Sequence, residues 1–200
     1  MSSTIDEYKK IYNVLDAELK YVFHLNAIYG QLFSEKANLD LLNETAGDVF
    51  AIFQQLAHKE LIIYICRTLE NKKLGDKNNL TLYSLLDKNF KCLYSQKELD
   101  KKLSDIKRSP SFKLIKYIRN KRLAHSDISK LTIDDETPKV SYTELELVLR
   151  DIADVMNYTS SKSQGLTVLY HETITHLKYD GNSLLSVLRK VEASNIKIVD

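Results

Sequence analysis

The chain contains few of the residues that interrupt helices. Only five glycines and two prolines occur among 200 residues, whereas these two residue types usually make up about 12% of a protein. An all-β sandwich needs many turns that depend on them, so their scarcity argues against that fold and favours long helices. The hydrophobic fraction of 44% and the charged fraction of 28% are typical of a globular chain rather than a disordered one.

Cysteines and long apolar runs are also scarce. Cys66 and Cys92 are too few for a disulfide framework or a four-cysteine zinc site, and their apolar neighbours predict reduced thiols in the core. The longest unbroken apolar run covers residues 61–66, whereas a membrane span needs about 20 residues. The first ten residues contain no apolar run that could form the hydrophobic region of a signal peptide. We therefore expect a cytoplasmic protein with no membrane segment, no metal and no cofactor.

Apolar residues recur at three- and four-residue intervals along most of the chain, which predicts helices. The expected helices span about residues 4–33, 42–71, 81–88, 95–107, 110–125, 141–160 and 182–193. The predicted fold class is all-α: an antiparallel bundle of four to six helices within residues 1–160, with residues 161–200 as a C-terminal appendage packed on the same domain. The second helix is apolar on most sides near residues 61–66 and should be the most buried.

Polar residues at the expected helix starts support these boundaries. Side chains suited to N-capping are those of Thr4, Ser95, Ser109, Ser141 and Asp180. Residues 34–41 and 72–79 are expected connections. Outside these helices, a short strand pair is expected at 131–133 and 139–142. Residues 166–174 are expected to form either a strand or an extension of the preceding helix.

Charge is unevenly distributed along the chain. The formal net charge is only +2, yet residues 106–126 contain seven basic side chains and no acidic one, so the remaining residues sum to −5. A cationic segment on an acidic body indicates a polyanion site, and a solvated helix face is the alternative interpretation. On a helical wheel His125 falls in the apolar arc of this segment. It is therefore either a hydrogen-bonded core histidine or a ring at the edge of a cleft.

The end of this segment resembles a family signature. Arg119-Asn120-Lys121-Arg122-Leu123-Ala124-His125 is similar to the motif of the HEPN superfamily, in which an arginine and a polar residue precede a histidine after a spacer of four to six residues. The continuation into Ser126 and Asp127 resembles the AbiU-type branch, which is named for abortive phage infection. So does a long buried helix followed by a loop and a leucine-rich segment at 80–86. The resemblance covers roughly residues 5–160.

The resemblance implies a metal-independent endoribonuclease of the phage-defence or toxin type. Such enzymes form symmetric dimers whose two motifs face one cleft, and the 2′-hydroxyl of the RNA attacks to leave a 2′,3′-cyclic phosphate and a 5′-hydroxyl. The catalytic residues would be Arg119, Asn120 and His125. The imidazole can exchange a proton near neutral pH, the guanidinium can hold a phosphate, and the amide can orient the ring or hold a phosphate oxygen. The RNA-binding side chains would be those of Lys113, Lys116, Lys121 and Arg122.

The spacing of the motif predicts a site made by two chains. Arg119 and His125 point about 120° apart on an ideal helix, so one chain presents both only if the helix ends between them. We expect a homodimer built around residues 110–125, with RNA and a cognate antitoxin or defence partner as its other partners. Asp127 stands where HEPN toxins paired with a nucleotidyltransferase have an adenylylated tyrosine, so that regulation is not expected. The alternative function is a non-catalytic HEPN-like module that dimerises and binds RNA or protein.

Other polar patterns fit structural roles better. His171 and His176 flank a glutamate but are five residues apart, which does not match the i, i+4 spacing of a zinc protease helix. His58 is expected to be a partly buried polar residue rather than a catalytic one. Arg67 and Glu70 border the buried helix and are expected to pair across the bundle in structural salt bridges.

Overall fold

The structure is a computed structural model that describes residues 2–74, 77–123, 138–172 and 178–194. Its helices are α1 (Ser2–Phe33), α2 (Lys36–Thr68), α3 (Gln96–Arg108), α4 (Pro110–Ile118), α5 (Tyr142–Gln164) and α6 (Gly181–Ala193). Between α2 and α3 lie the antiparallel two-residue strands β1 (Lys73–Leu74) and β2 (Lys77–Asn78), followed by 3₁₀ turns at Leu82–Leu85 and Lys88–Phe90. The fold is an all-α bundle, which confirms the predicted class.

The main core lies between α1, the C-terminal half of α2, α3, α4 and α5. Side chains from α2 sit at its centre: Leu61, Ile62, Tyr64 and Ile65 are each at most 2% exposed. The prediction that the second helix is the most buried one holds only for this C-terminal stretch, because Val49, Ile52 and Leu56 earlier in α2 are 64%, 59% and 59% exposed. Cys66 is also buried, as expected, but the prediction for Cys92 is wrong because this residue lies exposed in the turn after the second 3₁₀ turn.

The first two helices begin earlier than predicted. α1 starts at Ser2, so Thr4 lies inside the helix and does not cap it. α2 starts at Lys36, which shortens the expected 34–41 connection to two residues. The extra helical turns bury Leu41 against Leu185 of α6 in a second, smaller apolar cluster. This burial explains why a rather polar stretch is helical. α2 then kinks at a residue with non-helical angles, Ala46 (φ −160°, ψ 64°).

The other predicted caps are confirmed by hydrogen bonds. Four side chains accept from backbone N–H groups three residues later: Ser95 from Glu98, Ser109 from Phe112, Ser141 from Glu144, and Asp180 from Ser183. Each cap satisfies one of the unpaired amide groups at a helix start. Local chemistry therefore sets the starts of α3, α4, α5 and α6.

Three local predictions need correction. The expected 81–88 helix is a pair of 3₁₀ turns. The expected strand at 139–142 is absent, since residues 138–141 are irregular and α5 starts at Tyr142, whereas 131–133 lie outside the described residues. α5 ends at Gln164 and is capped by Gly165, whose φ of 69° favours glycine, so residues 166–169 do not extend the helix. They form no strand either.

The chain after α5 is held by side chains. The amide of Asn157 donates to the carbonyl of Val168 at 3.0 Å and accepts from its N–H at 2.8 Å. Further on, Gln31 of α1 accepts from the N–H of Gly181 at 2.9 Å and donates to Asp180 at 2.9 Å. These contacts fix α6 on α1.

α2 is the one helix in the described ranges that is long and apolar enough to cross a membrane by length and composition alone. Its most apolar stretch has a mean hydropathy of 1.3, and 33% of that stretch is buried inside the bundle. The core helix of a soluble protein meets the same criterion. The absence of a membrane segment and the cytoplasmic location therefore stay predictions.

Candidate active site

The corner between α3 and α4 positions the basic segment. Ser109 is the last cap of α3 and the first cap of α4, and its hydroxyl accepts from the N–H of Phe112 at 3.2 Å. Pro110 follows as the first helical residue, where its missing N–H costs nothing. A single residue, Ser109, therefore joins α3 to α4.

α4 buries one face and exposes the other. Its core-facing side chains are Phe112, Ile115 and Ile118, and its exposed cations are Lys113 and Lys116. Tyr117 lies outside the buried face, because it is 45% exposed.

A π-helical turn replaces the expected continuation of α4. It spans Arg119–Leu123 and begins directly after Ile118. Such turns are rare, and they frequently occur at functional sites because they change the direction in which side chains point. The predicted α-helix to residue 125 therefore stops at Ile118, and residues 124 and 125 lie outside the described part of the chain.

Arg119 lines a surface cleft of about 220 Å³. The C-terminal end of α2, the last turn of α3 and α4 form its walls, which consist of Cys66, Leu69, Glu70, Asn71, Lys107, Phe112, Lys116 and Arg119. Three of these side chains are basic and one is acidic. The cleft is thus a cationic recess with an apolar floor.

The guanidinium of Arg119 is held in place by two acceptors. Its Nη2 donates to Oε1 of Glu70 at 2.5 Å, and its Nη1 donates to Oδ1 of Asn120 at 3.1 Å. Both side chains of the ion pair are 35% exposed, so the pair is open to solvent and to a competing anion. Glu70 lies just after the last turn of α2. Its hydrogen bond with Arg119 joins two residues that are 49 positions apart in the chain.

Lys107 extends the positive charge of the cleft. Its Nζ lies 4.1 Å from the ring centre of Tyr83 and donates to Oδ1 of Asn71 at 3.4 Å. Burial lowers the pKa of Lys107 below its ordinary value, and the nearby carboxylate of Glu70 acts in the opposite direction. The ammonium is thus partly desolvated, which strengthens its interaction with any anion in the cleft.

Cys66 forms part of the apolar floor. Burial raises the pKa of its thiol to about 11, although the charges of Arg119 and Lys116 act to lower it. The thiol is therefore neutral at physiological pH. It is a wall of the cleft and not a nucleophile, because the nucleophilic form of cysteine is the thiolate.

The structure brings together only some of the predicted site residues. Arg119 and Asn120 are in contact, and Lys116 lies in the same cleft. Lys113 and Lys121 are exposed but do not line the cleft. The side chain of Arg122 and all of His125 lie outside what the structure describes.

Two cleft residues were missed by the sequence reasoning. Lys107 belongs to the basic segment, so its charge was a usable signal. Glu70 carried no such signal, because only the packing of α2 against α4 brings it to Arg119. The prediction that Arg67 and Glu70 pair across the bundle is confirmed: Arg67 binds Glu18 of α1 at 3.1 Å, and Glu70 binds Arg119.

The other histidine patterns have structural roles where they are described. His58 is half-buried, as predicted, and its Nε2 lies 3.1 Å from the carbonyl oxygen of Val140. His171 is 62% exposed and lies 3.6 Å from Glu172, whereas His176 is outside the described residues. Within the described ranges, no group of three or more His, Cys, Asp or Glu side chains is placed to hold a metal ion.

The fold and the position of the motif define a HEPN-superfamily protein: an all-α bundle with the Arg119 signature directly after a late helix. The family model HEPN_AbiU2, described as AbiU2, matches residues 5–184. The chain therefore belongs to the AbiU2 family, which confirms the resemblance seen in its sequence and extends it to α6. No curated protein and no solved structure matches the chain. Membership of a HEPN family suggests a role as a ribonuclease or in abortive infection.

Proposed function

We propose that this protein is a metal-independent endoribonuclease that acts in phage defence or as a toxin, with a composite active site in a homodimer. The observation that carries the proposal is the position of Arg119, the arginine of the HEPN signature, in a cationic cleft with Lys107 and Lys116. Clustered cations that are partly desolvated are suited to the phosphates of RNA.

The first step of the proposed mechanism is the capture of a phosphate. The solvent-open ion pair leaves the guanidinium of Arg119 oriented by Glu70 and Asn120. A phosphate that enters the cleft replaces the carboxylate of Glu70 on Arg119, while Lys116 adds a second positive charge. Arginine can hold two phosphate oxygens with its planar fork of donors.

The second step is the transfer of two protons around the scissile phosphate. One His125 takes the proton of the 2′-hydroxyl as its oxygen attacks phosphorus. The 5′-oxygen leaves with a proton from a second acid, which is His125 of the other copy in a composite site. Arg119 stabilises the negative charge that grows on the phosphate oxygens. The products are a 2′,3′-cyclic phosphate and a 5′-hydroxyl.

The test compares two variants for RNA binding, RNA cleavage and thermal melting, with EDTA present throughout. His125→Ala should bind RNA normally and lose at least about 100-fold of the cleavage rate, because it removes only proton transfer. Arg119→Ala should lose cleavage and also some affinity, because it removes a phosphate contact. Mass spectrometry of the products should find a terminal cyclic phosphate.

Other results would reject the proposal. A folded His125→Ala protein that cleaves at the wild-type rate removes the mechanism. A His125→Ala protein that melts at a lower temperature and loses binding together with cleavage identifies His125 as a core residue. Stable RNA binding without any cleavage by the wild-type protein supports the non-catalytic module instead.

The basic face is tested by the salt dependence of RNA affinity. Each phosphate contact with a single strand contributes about 0.7 to the slope of log affinity against log salt. Replacing Lys116 and Arg122 together with alanine should flatten this slope without unfolding the protein. An unchanged slope would remove these two residues from the RNA-binding surface.

A further inference from the structure

A second recess, which we call the α2 cavity, lies beside the middle of α2 and has a volume of about 540 Å³. Its walls come from α1, α2, the last residue of α4 and the segment before α5, and they include Tyr29, Gln54, Gln55, His58, Ile118 and Lys139. Binding sites for small organic ligands usually have a volume of about 300–1,000 Å³. The α2 cavity is therefore large enough for an aromatic ligand group, and the proposed capture of a phosphate leaves it unused.

One wall of this cavity is aromatic and ordered. The ring of Tyr29 has three aromatic neighbours, Phe33, His58 and Tyr142, whose ring centres lie 5.4, 5.9 and 6.5 Å away. Tyr142 in turn packs on Gly30, where a Cβ atom would lie only 2.7 Å from its ring. These contacts fix the orientation of the Tyr29 ring before a ligand enters, which reduces the entropic cost of binding. Such a wall suits a flat ring, because aromatic groups stack on one another.

The tautomer of His58 is set by its backbone partner. Its Nε2 lies 3.1 Å from the carbonyl oxygen of Val140. A carbonyl oxygen can only accept a hydrogen bond, so Nε2 carries the proton and Nδ1 of the neutral ring is an acceptor. Within the described ranges, no group binds Nδ1. His58 thus contributes a ring to the wall, and its Nδ1 is free to accept a hydrogen bond from a ligand.

Two neighbouring amides add both donors and acceptors to the cavity. Gln54 and Gln55 line it, and a glutamine amide can form two hydrogen bonds with one edge of a nucleobase. Gln55 is exposed and forms no hydrogen bond in the part of the chain that the structure describes, so its amide can turn toward a ligand. In single-stranded RNA, unstacked bases stack on aromatic side chains and form hydrogen bonds through their edges. The cavity therefore offers the groups that bind a nucleobase.

The cavity lies next to the cleft of Arg119. Ile118 lines the cavity, and the next residue, Arg119, lines the cleft. On α2 the nearest lining residues of the two recesses are His58 and Cys66, which are about 12 Å apart along the helix. A strand held at Arg119 covers this distance within a few nucleotides. Lys139 is exposed at the cavity, where its charge can attract the phosphate of an inserted nucleotide.

We propose that the α2 cavity binds one unstacked nucleobase of single-stranded RNA, a few nucleotides away from the phosphate that Arg119 holds. Tyr29 and His58 provide the stacking surface, while Nδ1 of His58 and the amide of Gln55 bind the edge of the base. This inference deepens the proposed function and rests on it for RNA as the ligand. It adds a site that recognises a base to a cleft that recognises a phosphate, and it is measured by binding, without cleavage.

The first experiment locates the base with RNA that cannot be cleaved. Every ribose carries a 2′-O-methyl group, which removes the attacking hydroxyl, and the strand is only a few nucleotides long, so that it has few alternative registers. One abasic nucleotide is moved through all positions. In the wild-type protein it should weaken binding by about 5- to 150-fold at one position, because that is the affinity a stacked base contributes, and little at the other positions. Equal losses at every position, or no loss at any, overturn the proposal.

The second experiment combines these strands with protein variants. Gln55→Ala should weaken binding of the intact strand by about two- to tenfold, because one hydrogen bond is lost. His58→Phe keeps a ring but removes the acceptor, so it should weaken binding to a similar extent. Neither variant should weaken binding of the strand that lacks the sensitive base, because the lost contact was made to that base. The matched control is Asn43→Ala, which removes an exposed amide of α2 that does not line the cavity and should bind both strands like the wild type.

The results for binding and for cleavage separate this inference from the proposed function. One sensitive position that disappears in Gln55→Ala or His58→Phe supports the base site, even if the wild-type protein cleaves no RNA. Cleavage by the wild type together with equal losses at every abasic position supports the nuclease and overturns the base site. If both variants bind the intact and the abasic strand equally weakly, or both bind like the wild type, the base site is also overturned. Free nucleoside monophosphates that bind the wild type but not Gln55→Ala, together with no sensitive position in RNA, identify a free nucleotide as the occupant and overturn the proposal.

Discussion

The two halves of α2 have a similar content of large apolar side chains but opposite surroundings. Residues 49–56 and 61–69 are both rich in large apolar side chains, yet Val49 is 64% exposed and Ile65 is fully buried. Both halves belong to one continuous helix after the kink at Ala46. The C-terminal half forms the core and leads into the candidate active site, whereas the other half is available to a partner. Hydrophobicity along a helix thus indicates burial without telling whether the same chain or another one provides it.

The largest expected effect is the loss of stability when a leucine in the buried half of α2 is shortened to alanine, compared with the same change in the exposed half. Leu61→Ala should lower the free energy of unfolding by about 2–5 kcal/mol, because it removes a fully buried side chain from the main core. Leu56→Ala should change the stability of the monomer by less than about 0.5 kcal/mol, since Leu56 is 59% exposed. Urea unfolding at a protein concentration that keeps the chain monomeric measures both values.

Raising the protein concentration sharpens this comparison. If a second copy covers the exposed half of α2, Leu56→Ala becomes destabilising at high concentration, because dimerisation stabilises the folded state and the variant dimerises more weakly. The loss in Leu61→Ala should be present at every concentration. Equal losses for both variants in the dilute sample would mean that the two halves of α2 do not differ in burial.

Local signals explain which parts of the fold were predictable. The starts of α3, α4 and α5 follow from Ser95, Ser109 and Ser141, whose side chains cap the helix that follows them directly. The N-terminus of α2 was not predictable in this way. Its first turns are helical because Leu41 packs against α6, about 140 residues later in the chain, and nothing nearby in the sequence signals that contact.

The candidate site was predictable to a similar extent. Arg119 and Asn120 came from a contiguous motif, and Lys116 from local charge. No local pattern predicts that Glu70 is the partner of Arg119, because the two side chains meet only where α2 and α4 pack together. The error on Cys92 has the same origin: apolar neighbours in sequence do not ensure burial when the chain turns through a 3₁₀ segment.

A smaller effect is the contribution of Cys66, in the buried half of α2, to the stability of the protein at alkaline pH. The pKa of Cys66 is raised to about 11 in the folded protein, whereas an unfolded thiol titrates near 8.5. Between these values the unfolded chain loses its proton and the folded chain keeps it, so Cys66 makes the stability fall as pH rises from about 8.5 to 11. Cys66→Ala should be less stable at pH 8 but should show a shallower decline over this range.

Chemical denaturation at several pH values measures this decline. The wild type and Cys66→Ala both retain the buried tyrosines whose pKa values are raised by burial, including Tyr64 and Tyr94. Their contribution cancels in the difference between the two proteins. Cys92→Ala serves as the control, because Cys92 is exposed and should not change the slope. If stability falls equally steeply with pH in the wild type and in Cys66→Ala, the pKa of Cys66 is not raised in the folded protein.

The smallest expected effect distinguishes the acidic residues near the end of α2. Glu70→Gln removes the carboxylate that a phosphate must displace from Arg119, so RNA affinity should rise by a factor of about 1.4–5, which corresponds to the roughly 0.2–1 kcal/mol of an exposed ion pair. Glu18→Gln is the matched control, because it removes the same charge from an ion pair with Arg67, which does not line the cleft. Fluorescence anisotropy with a short single-stranded RNA, in a His125→Ala background that prevents cleavage, compares the two. An increase that is equal in both variants reports only the change in net charge, and no increase in Glu70→Gln means that Glu70 orients Arg119 without competing with RNA.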